Sequence, residues 1–285
     1  MISTDTGLGG LPRLVISNDL AEAEIYLFGA TVSHWKPRGQ APVLWTGPAA
    51  LYQAGKPIRG GIPLCLPWFG PHAEDPTKPI HGFVRTRPWT VERTTELPDG
   101  RSRVKLSFVT DASTRAIWPH DLRVGLTVTI GKSLELEMTV TNTGTSTFVV
   151  GEAFHTYFAV EDIRRTLVHG LVGTTYLDKV AGGLHKQCSD GIAFTGETDR
   201  VYLSSHDETV IDDEVGGRRI RVRKSGSGAT VVWNPWIAKA AKMADFGEHE
   251  WMRMVCVESA NALESSYALA PAFSHHLRCE IAVEA

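Results

Sequence analysis

The chain has 285 residues but only four cysteines, Cys65, Cys188, Cys256 and Cys279, which are far apart and form no C-x-x-C pair. That spacing excludes the usual zinc frameworks and offers no disulfide scaffold, so a reduced, cytoplasmic protein without structural metal or cofactor is expected. Cys65 and Cys256 lie in apolar runs, where a free thiol usually acts as a small hydrophobe. Neither sign of charge dominates: 29 Lys and Arg stand against 32 Asp and Glu, a net −3. No nucleic-acid partner is therefore expected. No apolar run approaches the ~20 residues of a membrane-spanning helix, so no membrane partner is expected either. Met1 to Gly10 is polar and glycine-rich, without the basic and apolar regions of an export signal.

Several chemical motifs are missing as well. There is no G-x-S-x-G, and Ser225-Gly-Ser-Gly228 has the wrong spacing and reads as a turn. Gly125 to Ser133 is one residue too long for a phosphate-binding loop and lies between two strand patterns. His275-His276, with Cys279 nearby, lacks a second ligand pair, and His249 sits between Glu248 and Glu250 in a loop pattern.

Helical periodicity is scarce, limited to a turn or two at Asp111–Trp118 and Trp236–Phe246. Strand periodicity is abundant. Val104, Leu106 and Phe108, then Val124, Leu126, Val128 and Ile130, then Leu134, Leu136, Met138 and Val140 each alternate with polar residues or glycine. Period two predicts half-buried antiparallel strands, with Gly131-Lys-Ser133 as a hairpin turn. Further strands are expected at Arg13–Ser17, Glu24–Phe28, Phe148–Gly151, Thr209–Asp212, Ile220–Lys224, Ala229–Trp233 and Val255–Glu258. The pattern predicts an all-β sandwich in one domain spanning residues 1–285, its core running from about 11 to about 283.

Against this background one stretch is unusual: Arg59-Gly-Gly-Ile-Pro-Leu-Cys-Leu-Pro-Trp-Phe-Gly-Pro-His72, followed by Ile80-His-Gly-Phe-Val-Arg85. Fixed cations in a stiff apolar segment suit an anionic, partly hydrophobic small ligand. Gly151-Glu-Ala-Phe-His-Thr-Tyr-Phe158 and Val255-Cys-Val-Glu258 have the same mixed character. On its own, His155 reads equally as a core histidine among aromatics. Glu258 ends an apolar run, where a carboxylate is costly unless paired or functional. Arg59 and Arg85 each read alternatively as structural cations.

These segments resemble the glucose-6-phosphate 1-epimerases of the aldose 1-epimerase superfamily. The matching pieces are Arg59-Gly-Gly-Ile-Pro, Pro67-Trp-Phe-Gly70, His81-Gly-Phe-Val-Arg85, Glu152-Ala-Phe-His-Thr-Tyr157, Thr175-Tyr-Leu-Asp-Lys179, Val232-Trp-Asn-Pro-Trp236, Met243-Ala-Asp-Phe246 and Val257-Glu258. They occur in family order over roughly residues 20 to 280. The resemblance implies a galactose-mutarotase-like β-supersandwich that interconverts the α and β anomers of a hexose 6-phosphate, with D-glucose 6-phosphate the expected substrate. It implies His155 as catalytic acid and Glu258 as catalytic base. Arg59 and Arg85 would bind the substrate's phosphate, His81 would bind near the ring oxygen, and Asp178 would bind a sugar hydroxyl. Relatives often carry Gln directly before His-Gly-Phe; this chain has Ile80.

The implied chemistry suits the residues. Opening a cyclic aldose removes a proton from O1 and delivers one to the ring oxygen, which needs one base and one acid but no cofactor. A carboxylate (~4.3) is ionised at neutral pH and can accept the O1 proton, while an imidazole (~6.5) is protonated often enough to donate to the ring oxygen. Trp68, Phe69 and Trp236 are candidate walls for the sugar's C–H faces. A monomer whose one partner is a small sugar phosphate is expected. Three other readings remain open: a non-catalytic carbohydrate-binding β-sandwich, an aldose 1-epimerase acting on unphosphorylated sugar, and a glycoside hydrolase using Asp178 and Glu258 across an open groove.

Overall fold

The computed structural model describes residues 1–206 and 208–284. Antiparallel strands dominate. The largest sheet has nine strands, in the order Ile192–Ala193, Thr166–His169, Thr209–Asp213, Arg218–Ser225, Ser274–Glu284, Ser133–Asn142, Leu122–Ile130, Ser102–Val109 and Thr90–Glu96. Its alternation follows the expected period: Val104, Leu106, Val124, Leu126, Val128, Leu134, Leu136, Met138 and Val140 are all buried, and the hairpin closes at Ile130 opposite Leu134. The edge strand Thr90–Glu96 is mostly exposed and interrupted by a register shift between Val91 and Arg93, a device that discourages further strand addition.

The second large sheet has eight strands. Seven lie in the order Leu184–Lys186, Thr175–Asp178, Thr198–Leu203, Ala229–Asn234, Met254–Asn261, Glu152–Phe154 and Leu64–Cys65, while Tyr157–Ala159 also pairs with Met254–Asn261. A four-stranded sheet over residues 2–37 and a two-stranded one, Phe148–Val150 with Tyr267–Leu269, complete the strand framework. One hydrophobic core joins the three larger sheets: Ile25 and Trp35, Leu126 and Ile281, and Val232 and Val257 all belong to it. This is the all-β sandwich that the periodicity predicts.

Helix is confined to short pieces. Ala112–Ile117 is capped by Asp111, whose side chain accepts from Thr114 N at 2.9 Å. Trp236–Ala240 follows Pro235 and passes into turns, with Met243 N bonded to Ala240 O and Phe246 N to Met243 O.

The centre of the eight-stranded sheet reads differently from the outer strands. Ala229–Asn234 and Met254–Asn261 are buried at every residue, so neither face is solvated and alternation is muted. On this double-sided surface Val257 enters the main core, whereas Glu258, two positions after Cys256, faces the other way.

Candidate functional site

Each segment of the site is held by backbone contacts that explain its sequence. Arg59 precedes Gly60 and Gly61, with φ of 117° and 64°. A Cβ on Gly60 would lie 2.4 Å from Thr46 Cα, and one on Gly61 would lie 2.3 Å from Val32 O. Only glycine permits that approach, through which Gly61 N reaches Trp45 O at 2.7 Å. Further on, a Cβ on Gly82 would meet Leu66 O at 1.9 Å. His81, at φ 65°, is fixed from both sides: its N–H donates to Gly70 O at 2.7 Å, and its Nδ1 accepts from Gly70 N at 3.1 Å. In the neutral ring Nε2 therefore carries the proton.

His155 sits in the gap between the strands Glu152–Phe154 and Tyr157–Ala159, its N–H bonded to Pro63 O at 3.0 Å. Both strands pair with Met254–Asn261, where Cys256 is opposite both Tyr157 and Trp233, and Glu258 is opposite Val231. The break in pairing and the register together bring His155 Nδ1 to 3.5 Å from Glu258 Oε1.

These elements enclose a pocket of about 390 Å³, within the range of small-ligand sites, roughly 300–1,000 Å³. Five of the six expected residues line it: Arg59, His81, Arg85, His155 and Glu258. Asp178 is not among the lining residues. It ends its strand and turns back, Oδ1 accepting from Val180 N and Ala181 N at 2.9 Å each, with Arg200 Nε 3.5 Å from its other oxygen. The next residue, Lys179, stands on the pocket wall, 3.5 Å from Asp199, which lines it too. Of the expected aromatic walls, Phe69 lines the pocket. Trp68 instead donates to Pro79 O at 2.9 Å, and Trp236 packs on Trp251 with centroids 4.4 Å apart. Trp233 lines the pocket, while Asn234 beside it ties the scaffold through Nδ2 to Trp251 O and Met254 O.

Among the wall side chains given no role in the sequence reading are Lys179 and Met243, which lie inside matched segments, and Asp199 and Lys239. Lys239 extends from the Trp236–Ala240 helix and bonds Glu197 at 2.8 Å. Lys179 was legible as a cation inside a matched segment; the acidic and lysine residues near 199 and 239 carried no signal beyond ordinary surface charge.

The walls carry four cations, Arg59, Arg85, Lys179 and Lys239, against two carboxylates, Asp199 and Glu258. Arg59 is fixed in place by Asp245 (3.1 Å) and by the Tyr157 hydroxyl (3.1 Å), and these partners hold it charged against the effect of burial. Arg85 donates to Ile80 O at 2.8 Å, and its buried Nε has no protein partner among the described residues. Burial, followed by the neighbouring Asp199, pushes Glu258 well above the usual carboxylate range. Burial, followed by Arg85 and Arg59, pushes His155 well below the usual imidazole range, and burial followed by Arg85 does the same to His81. Burial thus favours the neutral forms of both Glu258 and His155, two titratable groups in contact on the wall of one pocket, while the cations around them suit an anionic group.

Comparison with known proteins places the chain among close relatives. The family model Aldose 1-epimerase matches residues 12–282. The chain is 38% identical over 261 residues to an Escherichia coli K12 protein named "Putative glucose-6-phosphate 1-epimerase", covering 90% of this chain and 86% of that protein. It is 38% identical over 258 residues to a protein of the same name from Cenchrus ciliaris, covering 87% and 77%. A crystal structure described as a putative mutarotase from Salmonella typhimurium superposes with a TM-score of 0.92 at 31% identity, covering 99% of this chain and 93% of that one.

Proposed function

We propose, for a chain that belongs to the aldose 1-epimerase family, that its reaction is α–β anomer exchange of a hexose 6-phosphate, with D-glucose 6-phosphate as substrate. The observation that carries the mechanism is the proximity of His155 and Glu258, 3.5 Å apart and buried at the floor of a cation-rimmed pocket. The substrate assignment is supported by the names of the relatives and by the four wall cations.

In this mechanism Glu258 takes the proton from O1 of one anomer while His155 delivers one to the ring oxygen. The C1–O5 bond breaks, leaving the open-chain aldehyde. Rotation about C1–C2 presents the other face of the carbonyl, and the two proton transfers run in reverse to close the ring. No bond to the protein forms, and each proton is returned within the cycle. Acid–base help of this kind contributes roughly 10²–10⁴-fold.

The cations link recognition to chemistry. Burial first, and then Arg85 and Arg59, disfavour the charged form of His155. A phosphate dianion beside the two arginines offsets their part of this effect, so a phosphorylated sugar raises the proton affinity of its own general acid. His81, held with Nε2 as its N–H, serves as a neutral donor near the ring oxygen. We assign to Asp199, on the wall, the hydroxyl-binding role that the resemblance implies for Asp178. One domain carries the whole site, working as a monomer in the cytoplasm.

The glycoside hydrolase reading leaves His155, Arg59 and Arg85, all on the pocket wall, without a role, and Asp178, the partner it pairs with Glu258, is turned into the following loop. Anomer exchange of glucose 6-phosphate, followed by NMR saturation transfer beside free glucose, tests the assignment.

A further inference from the structure

We propose that His155, Cys256 and Glu258 together form a binding site for a zinc ion, and that the bound ion blocks anomer exchange. One ligand atom from each of these three buried residues lies within 4.8 Å of the other two. His155 Nδ1 is 3.5 Å from Glu258 Oε1 and 3.7 Å from Cys256 Sγ. A tetrahedral ion with bonds of about 2.0–2.3 Å sets its ligand atoms about 3.3–3.6 Å apart, so the two contacts from His155 already match, and the edge between Cys256 and Glu258, within 4.8 Å, closes by side-chain rotation. One nitrogen, one sulfur and one carboxylate oxygen make a set that zinc accepts and that magnesium or calcium does not favour.

The placement follows from strand geometry. Cys256 and Glu258 are two residues apart on one strand and share a face, and His155 enters from the break in the neighbouring strands. A second observation points to a ligand: Glu258, only 2% exposed, has a buried Oε2 with no hydrogen-bond partner among the described residues. His155 and Glu258 line the pocket, so an ion reaches them by the route a sugar takes, and its remaining coordination position is left for water.

Binding is a proton-for-metal exchange without redox change. The Cys256 Sγ–H bond gives up its proton to solvent as the Sγ–Zn bond forms, and a protonated Glu258 releases its O–H proton likewise as its O–Zn bond forms. His155 Nδ1 and a Glu258 oxygen donate lone pairs to the ion, which ties up the two side chains assigned to proton transfer with the sugar. Metal and reacting sugar therefore exclude one another. The wall cations Arg59 and Arg85 oppose the ion's charge, while the thiolate and carboxylate offset it.

The blocking half of this inference rests on the anomer-exchange reading; the binding half does not, and the experiment separates them. Cobalt(II) added to the full chain is expected to give a thiolate-to-metal charge-transfer band in the near ultraviolet, bleached by zinc and absent from Cys256→Ala and Cys256→Ser. In exchange assays zinc is expected to inhibit reversibly, with relief by chelator. Measured against its own zinc-free rate, Cys256→Ala should require roughly tenfold or more zinc for the same fractional inhibition. Absence of the band in the wild type, or its persistence in both Cys256 variants, would overturn the site. The band with equal inhibition of wild type and variants would overturn the blocking role alone. A wild type that shows the band but exchanges no sugar would count against the anomer-exchange reading while leaving the metal site standing.

Discussion

The imidazole of His155 lies parallel to the ring of Tyr157, with centroids 4.8 Å apart and planes 8° from one another. Tyr157 stacks in turn on Trp45, centroids 5.7 Å apart, and its hydroxyl accepts from Arg59 Nη1 at 3.1 Å. The stack fixes the plane of the proposed acid, and the hydroxyl fixes the proposed phosphate donor, so one tyrosine positions both ends of the substrate. Tyr157→Phe keeps the stack and removes the hydrogen bond. The expected result is a KM for glucose 6-phosphate raised about 3- to 10-fold with kcat nearly unchanged, as for loss of one ordinary hydrogen bond. A kcat loss as deep as that of a His155 variant would mean that Tyr157 handles a proton itself.

Charge-assisted bonds to a phosphate should be lost selectively. Arg59→Ala and Arg85→Ala are each expected to lower kcat/KM for glucose 6-phosphate by roughly 10- to 150-fold, the range of hydrogen bonds to charged groups. On free glucose the loss should stay within about threefold. Arg59→Lys should fall near Arg59→Ala, because a lysine cannot hold Asp245 and Tyr157 with one planar fork. Equal losses on both sugars would remove phosphate reading from these arginines.

Stability should carry the signature of the buried pair. His155 and His81 are held below the ordinary imidazole value, chiefly by burial. Below about pH 6.5 the unfolded chain takes up protons that the folded state refuses, so stability falls as pH drops, by up to ~1.4 kcal/mol per pH unit for each histidine. His155→Gln should flatten that acid limb by one proton, measurable as urea midpoints between about pH 4.5 and 7.5. Glu258 has the opposite linkage. Its raised affinity, due first to burial, gives stability that is present below about pH 4.3 and is lost as pH rises through the folded value. Glu258→Gln should therefore melt higher than the wild type at neutral pH, the gap closing in acid. Parallel melting curves at every pH would contradict burial of an ionisable Glu258.

How much of this was visible in the sequence follows from what sets each feature. The nine-stranded sheet was legible because one face of Ser102–Val109, Leu122–Ile130 and Ser133–Asn142 meets the core and the other is more open, which writes period two into the chain. The central strands Ala229–Asn234 and Met254–Asn261 were visible only as apolar runs, since both their faces are covered. Arg59, His81, Arg85, His155 and Glu258 stood out as titratable groups in apolar segments, each open to a structural reading by itself, and the resemblance supplied their roles. Asp178 and Lys179 show the limit: a resemblance matches the segment, but the direction of each side chain depends on how the strand ends. Cys256 was read as a small hydrophobe, although its spacing of two from Glu258 already placed both on one face. Asp199 and Lys239 come together only through long-range pairing, which local patterns do not encode.

The most direct test of the proposed acid–base pair is saturation transfer between the anomers of glucose 6-phosphate with wild type, His155→Gln and Glu258→Gln at matched concentration, each checked for folding by its melting transition. Exchange well above the uncatalysed rate is expected for the wild type, and losses of roughly 10²–10⁴-fold are expected for each variant. Wild-type exchange that either substitution leaves intact would contradict the assignment of proton transfer to His155 and Glu258.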